Sequence, residues 1–219
     1  SSNRGRDKSA IYEFNIEQVQ ETKLIFEHEE VDVSSLMYSS KRKVLTGVNY
    51  TVAKTERVFF DDWRKNIQNK LEEKLPGYEV GITSFSKDEI KAVVVSYSDK
   101  SRGTYYIYDI TEDKLTDLGK VSPWLNEDHM AQMKPVKYTS RDGLTIHGYL
   151  TLPKGSNGKN LPIVVNPHGG PWARDSWGYS SQVQFLANRG FGVFQMNFRG
   201  STGYGREFWE VSFKEWGKS

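Results

Sequence analysis

Short runs that alternate between apolar and polar side chains fill the first half of the chain, separated by turn residues. A period of two places one face of each run on a core, which predicts strands. Residues 11–16 make one, in the word Tyr12-Glu13-Phe14-Asn15-Ile16, with residues 23–28 as its partner. Residues 35–39 and 43–50 make a second pair. The pattern then returns. Thr83-Ser84-Phe85-Ser86 echoes Leu36-Met37-Tyr38-Ser39 about 47 positions on, and residues 91–97 echo 43–50. Tyr106-Ile107-Tyr108-Asp109-Ile110, followed by Lys114-Leu115, echoes residues 12–16 and Lys23-Leu24. A period of roughly 40–50 residues built from short strands is the pattern of β-propeller blades. An ordinary antiparallel meander would satisfy the same alternation.

Between the two repeats the period changes. Ile67, Leu71 and Leu75 recur at i+4 over residues 61–77, which predicts a helix. Asp61 or Asp62 caps its start and Pro76-Gly77 ends it. A cap beside a solvated neighbour accounts for this acidic pair better than a metal or an acid–base dyad does. Residues 122–134 show neither period, carry Pro123, and predict a linker. Glu127, Asp128 and His129 fall there, but adjacent residues in an irregular segment rarely converge on one ion, so no metal site is expected.

After the linker, Asp142-Gly143 between two alternating runs predicts a hairpin. His147 falls mid-strand within it and reads as structural or surface. Residues 154–160 read as a flexible connection. Residues 161–165 form an apolar, branched run that predicts a buried strand. It ends in Asn166-Pro167-His168-Gly169-Gly170-Pro171, a corner of two prolines and two glycines. A helical pattern follows, with Val183, Leu186 and Ala187 at i, i+3, i+4, Phe185 close to that face, and Gly190 as the stop. Residues 191–198 predict a second buried strand. Strand, glycine corner, helix and strand make a βαβ unit of a parallel sheet.

Composition narrows the chemistry. Lys+Arg 30 against Asp+Glu 28 leaves +2, too balanced to suggest a nucleic-acid or membrane partner. The absence of cysteine excludes disulfides and thiolate metal sites and is silent on compartment. The N-terminal residues are neither a signal peptide nor a span, and any signal would lie outside this chain. The glycines of Arg199-Gly200-Ser201-Thr202-Gly203-Tyr204-Gly205 fall at i, i+3 and i+5, which does not fit the dinucleotide fingerprint. No cofactor is expected.

Twin glycines leave main-chain N–H groups unshielded, so a ligand can approach them. In α/β-hydrolases a loop after an early strand supplies one oxyanion donor, and the residue after the nucleophile supplies the other. A tight turn with no chemistry would also be spelled His168-Gly169-Gly170. The longer words decide more. NPHGGPWARDSWGY, followed by FLANRGFGVFQMNFRGSTGYGREFWE, resembles the start of the catalytic domain in the prolyl oligopeptidase family of serine peptidases. The likeness is greatest to the acylaminoacyl-peptidase and dipeptidyl-peptidase branches. RDGLTIHGYL resembles the opening hairpin of the same domain, and the helix ending in Leu75-Pro76-Gly77 resembles one in propellers of the family.

The resemblance implies β-propeller blades over residues 1–121 with a helical insertion near 61–75, then a linker over 122–134. The N-terminal part of an α/β-hydrolase domain would fill 135–219. It implies hydrolysis of short peptides through an acyl-enzyme. Gly170 is the first candidate oxyanion donor and Gly169 the second, with His168 supporting the loop. Trp172 and Arg174 are candidate substrate contacts, and Asn197 and Arg199 would hold loops beneath the site. Residues 206–218 would begin an aromatic-faced helix. In this fold the order is oxyanion strand, nucleophile, acid, histidine. No G-x-S-x-G elbow occurs in the sequence, and His168 is the last of its four histidines. The expectation is that the chain stops before the nucleophile and is inactive alone. Two alternatives stay open: a carboxylesterase-like hydrolase and a non-catalytic interaction module. A short peptide is the expected partner, with homo-oligomers possible through unpaired sheet edges.

Overall fold

The computed structural model describes residues 1–170, 172–215 and 217. The first strands, β1 (Ile11–Asn15) and β2 (Gln20–Phe26), form an antiparallel hairpin. Strands β3 (Val33–Ser39), β4 (Val44–Thr51) and β5 (Thr55–Phe59) form an antiparallel meander. Helix α1 (Asp62–Lys74) follows at once. A second meander holds β6 (Glu79–Phe85), β7 (Lys91–Tyr97), β8 (Thr104–Asp109) and β9 (Lys114–Lys120). The chain is thus mostly strand, in several separate sheets, and the words that echo one another occupy matching hairpins, β3–β4 and β6–β7.

Helix α1 forms where the i+4 spacing places it. Asp61 Oδ1 accepts from Arg64 N (2.8 Å) at the N-cap, and Gly77 turns the chain away at φ 84°. Its inner face buries Ile67 and Leu71 against Val80, Ala92, Val94 and Tyr108 of the second meander. In β7 the strict alternation puts Ala92, Val94 and Ser96 inward.

The last sheet has the order β10-β11-β13-β12. Strands β10 (Met133–Thr139) and β11 (Thr145–Thr151) are the hairpin expected around Asp142-Gly143, with Gly143 at φ 85°. Strand β12 (Ile163–Val165), helix α2 (Ser181–Asn188) and β13 (Gly192–Asn197) form the βαβ unit, with β12 parallel to β13. A single turn of 3-10 helix, Glu127–His129, lies before the sheet, and Met133 and Lys134 already belong to β10.

Three expectations need correction. The run at 161–165 is not buried. It yields only a three-residue edge strand, with Ile163 and Val165 half exposed, because nothing pairs with or covers its outer side among the described residues. Phe185 lies on the outer side of α2, under the Arg189 guanidinium (3.6 Å), and the buried set is Val183, Gln184 and Ala187. The terminal helix α3 covers only Arg206–Glu210, with turns after it; Trp216, Lys218 and Ser219 lie outside the described residues.

A second apolar cluster joins Val31 to Ile146, Tyr204 and Phe208, so the N-terminal segment packs on the last sheet. Asp7 caps α3, accepting from Glu207 N (2.6 Å) at its carboxylate and from Arg206 N (2.9 Å) at its carbonyl. Gly205, the N-cap residue, has no side chain to do this.

Candidate functional site

The glycine corner follows β12 directly. Asn166 N donates to Phe194 O (2.8 Å), the last backbone bond to the sheet before the chain leaves it. Both glycines are exposed. Gly170 stands at φ 136°, and a Cβ there would meet Trp172 N at 2.8 Å and Ala173 N at 3.3 Å. Gly169 has open space where its Cβ would be. Among the described residues, neither glycine N–H has a hydrogen-bond acceptor. The corner therefore presents two unshielded donors to solvent.

His168 is fastened from below. Its ring stacks on Phe198 (4.4 Å, 17°). Ser201 Oγ donates to Phe198 O (2.6 Å), so Nε2–H of His168 donates to Ser201 Oγ at 2.8 Å. Nδ1 lies 2.8 Å from Gly169 O. A neutral ring that donates from Nε2 carries no proton on Nδ1, so His168 is held to the loop after β13 through Nε2 and the Phe198 stack. Ser201 was legible only as part of a loop word and Phe198 only as the end of a predicted strand; no periodicity marks them as partners of His168.

The segment after the corner is held by three side chains. Asn197 is fully buried; its Oδ1 accepts from Asp175 N (2.7 Å), and its Nδ2 donates to Asp175 O (3.1 Å) and Tyr204 Oη (2.7 Å). Arg174 packs over the Tyr204 ring (4.4 Å) and donates from Nη2 to its hydroxyl (2.8 Å). The same guanidinium reaches Thr51 O and Val52 O, both at 3.2 Å, at the end of β4. Thr202 N donates to Ala173 O (3.0 Å), which joins the two loops. Arg199 points elsewhere, to Asp142 Oδ2 (2.6 Å) and Ser140 Oγ (3.3 Å), and holds the β10–β11 turn.

Trp172 is half exposed beside the corner, with its ring edge-on to Trp209 (5.8 Å) and Phe213 (5.9 Å). Of the two candidate substrate contacts it is the one open to solvent; Arg174 is partly buried and makes its hydrogen bonds to protein. Burial pushes the Asp175 carboxyl above its ordinary value, against the opposing pull of His168 and Gln195. Burial likewise raises Tyr204. His147 is half-buried against the Tyr204 ring (4.7 Å), and burial lowers its pKa. Among the described residues there is no cluster of three or more potential metal ligands. No helix among them is long and apolar enough to cross a membrane.

The arrangement has counterparts in known proteins. The sequence profile of the prolyl oligopeptidase family matches residues 177–219. The chain is 34% identical to dipeptidyl aminopeptidase BIII of Pseudoxanthomonas mexicana, over 99% of its own length and 32% of the relative's. Among solved structures it resembles a puromycin-hydrolyzing peptidase of Mycobacterium tuberculosis (TM-score 0.67, 20% identity, 96% of this chain and 33% of that one). It also resembles dipeptidyl peptidase 4 of Porphyromonas gingivalis (TM-score 0.65, 14% identity, 99% and 31%). The two structural likenesses show a shared fold. The chain spans about a third of the length of the curated relative it matches. Taken with the two glycine-rich words, these matches lead to one conclusion: the chain carries the profile of the prolyl oligopeptidase family over residues 177–219 and is similar along its length to a peptidase of the dipeptidyl aminopeptidase kind.

Proposed function

We propose that the whole protein is a serine peptidase that hydrolyses short peptides through an acyl-enzyme, of the aminopeptidase, dipeptidyl peptidase or acylaminoacyl peptidase type. In this reading residues 1–121 are propeller blades, 122–134 a linker and 135–219 the opening of the α/β-hydrolase domain. Gly170 N–H is the principal oxyanion donor, Gly169 N–H the second candidate, and His168 fixes the angle of the corner through Ser201. Trp172, with Arg174 behind it, borders the bound peptide. Asn197 holds the loop beneath, while Arg199 holds the β10–β11 turn. The nucleophile and its partners belong to the rest of the whole protein.

The reading rests on one observation. Two adjacent amides are exposed and, among the described residues, unpaired, on a loop braced by a stacked, hydrogen-bonded histidine. An acyl transfer builds negative charge on one oxygen, and a donor fixed in advance stabilises it without reorganising. Removing such a donor costs about 10²–10³ in kcat.

The test uses the full-length protein and chromogenic dipeptidyl, acyl-aminoacyl and ester substrates. Amide turnover blocked by a serine-directed phosphonate is expected. Gly170→Ala, which forces a Cβ against Trp172 N, should lower kcat at least tenfold with the fold retained, while Gly169→Ala is milder. Ester turnover without amide turnover would favour a carboxylesterase. No turnover of any of them would leave an interaction module.

A further inference from the structure

A buried cation lies between the two meanders with no carboxylate of its own. Arg64, on the first turn of α1, is 5% exposed. Its guanidinium packs between the rings of Phe59 (5.4 Å) and Phe85 (5.7 Å). Its side chain makes one hydrogen bond among the described residues, from Nη1 to Gln68 Oε1, at a long 3.3 Å. Burying an ion is costly unless it is paired and hydrogen-bonded. Guanidinium has five N–H donors; one weak bond engages one of them, and the nitrogens left over, Nε and Nη2, are not fully enclosed.

The acids nearby are committed elsewhere. Arg42 holds both oxygens of Asp61 (2.7 and 3.0 Å). Glu89 accepts from Ser39 Oγ (2.5 Å) and Arg42 Nε (3.4 Å). Glu72 accepts from Gln68 Nε2 (2.8 Å). Burial, then the charge of Arg57, lower the pKa of Arg64 to about 10, as expected for a cation short of compensation.

Arg64 opens onto a cavity of about 480 Å³ between β3, β4, β6 and α1. Asn49 lines the same cavity, and its Oδ1 is buried without a donor. The two ends of that amide are isosteric, so a half-turn offers Nδ2–H to an acceptor. Lys41 and Lys87 stand in the exposed lining. Glu89 also lines it, but with its carboxylate already taken up. What the cavity lacks is an acceptor of negative charge with two or more oxygens, which a planar guanidinium binds in a fork.

We propose that this cavity is a binding site for a small oxyanion, a carboxylate or a phosphate, with Arg64 as its principal ligand and Asn49 as its hydrogen-bonding partner. The site is separate from the glycine corner and does not depend on the peptidase reading. The shared chemistry has two sources, free inorganic phosphate and the carboxylate of a peptide C-terminus.

The experiment follows thermal unfolding and calorimetric titration of the full-length protein at constant ionic strength in chloride. The probes are inorganic phosphate, acetate, and Ala-Ala-Ala with a free or an amidated C-terminus. A saturable rise in Tm of about 3 °C or more is expected when one oxyanion reaches a hundred times its dissociation constant. Phosphate alone active identifies the first source; the free tripeptide active and the amidated one silent identifies the second. Arg64→Gln should abolish the rise. Because that variant could fail to fold, Asn49→Asp provides the second arm. It places a resident carboxylate in the cavity, so it should fold and lose at least tenfold in anion affinity. No saturable response to any probe would overturn the proposal, and so would an undiminished response in Asn49→Asp.

Discussion

Asp61 does two things that single substitutions can separate. It caps α1 through Arg64 N and forms a bidentate pair with Arg42, whose guanidinium also lies over the Trp63 ring (4.5 Å). Asparagine caps about as well as aspartate but carries no charge. Asp61→Asn should therefore cost only the partly exposed ion pair, about 0.5–1 kcal/mol. Asp61→Ala should cost roughly 1 kcal/mol more, the usual worth of an N-cap. The Arg42 hydrogen bond holds the Asp61 carboxyl below its ordinary value of 3.8, with burial acting the other way. A depressed folded pKa gives stability that is present above the unfolded value and lost as pH falls through the folded one. The gap between wild type and Asp61→Asn should thus close as pH drops below about 4, which thermal unfolding across a pH series would read. The cap was legible from an acidic residue ahead of an i+4 pattern. The partner was not: Arg42 comes from the β3–β4 turn, 19 residues away in sequence, and no local rule names it.

At the level of elements, the β12–α2–β13 unit and the β10–β11 hairpin follow from turn residues and periodicity. Their burial does not. The apolar run at 161–165 reads as core, yet the sheet order puts β12 at an edge. Gln184 reads as a polar helix position, yet it is buried and clasps three backbone groups. Its Nε2 donates to Asp99 O (2.9 Å) and Ala131 O (2.8 Å), and its Oε1 accepts from Ala131 N (2.8 Å). Gln184→Leu keeps the volume and orphans those groups, so it should destabilise by roughly 2–4 kcal/mol, measured as a lower urea midpoint. Gly148 behaves similarly. A Cβ there would lie 2.5 Å from Gln195 O and 3.0 Å from a Phe194 ring carbon, so β11 and β13 pack too closely for any side chain. Gly148→Ala should cost about 1–3 kcal/mol in the same assay.

Across the whole molecule, the loop after the glycine corner is tied to the end of β4 by Arg174 and to β13 by Asn197. Tyr149 Oη adds a bond to Ala53 O (2.7 Å), and Lys54 lies over the Trp177 ring (3.7 Å). The candidate site is therefore registered against the early meander as well as against its own sheet. Arg174→Lys keeps the charge but cannot span two carbonyls and a phenol at once. It should lower stability by about 1–2 kcal/mol, read by urea unfolding. In the full-length enzyme of the proposed reading, a fall in kcat with KM unchanged would mark a positioning role, and a raised KM a substrate contact.

Strand and helix periods, the Asp142-Gly143 turn, the twin-glycine corner and the family words are properties of neighbouring residues, so the chain alone carried them. Local sterics and spacing suffice there, and the corner needs only two residues without a Cβ. The edge position of β12, the buried Gln184 clasp, the Asp7 cap on α3 and the uncompensated Arg64 are properties of residues far apart in sequence. They exist only once separate elements have packed, because burial and charge compensation depend on what surrounds a group rather than on what precedes it.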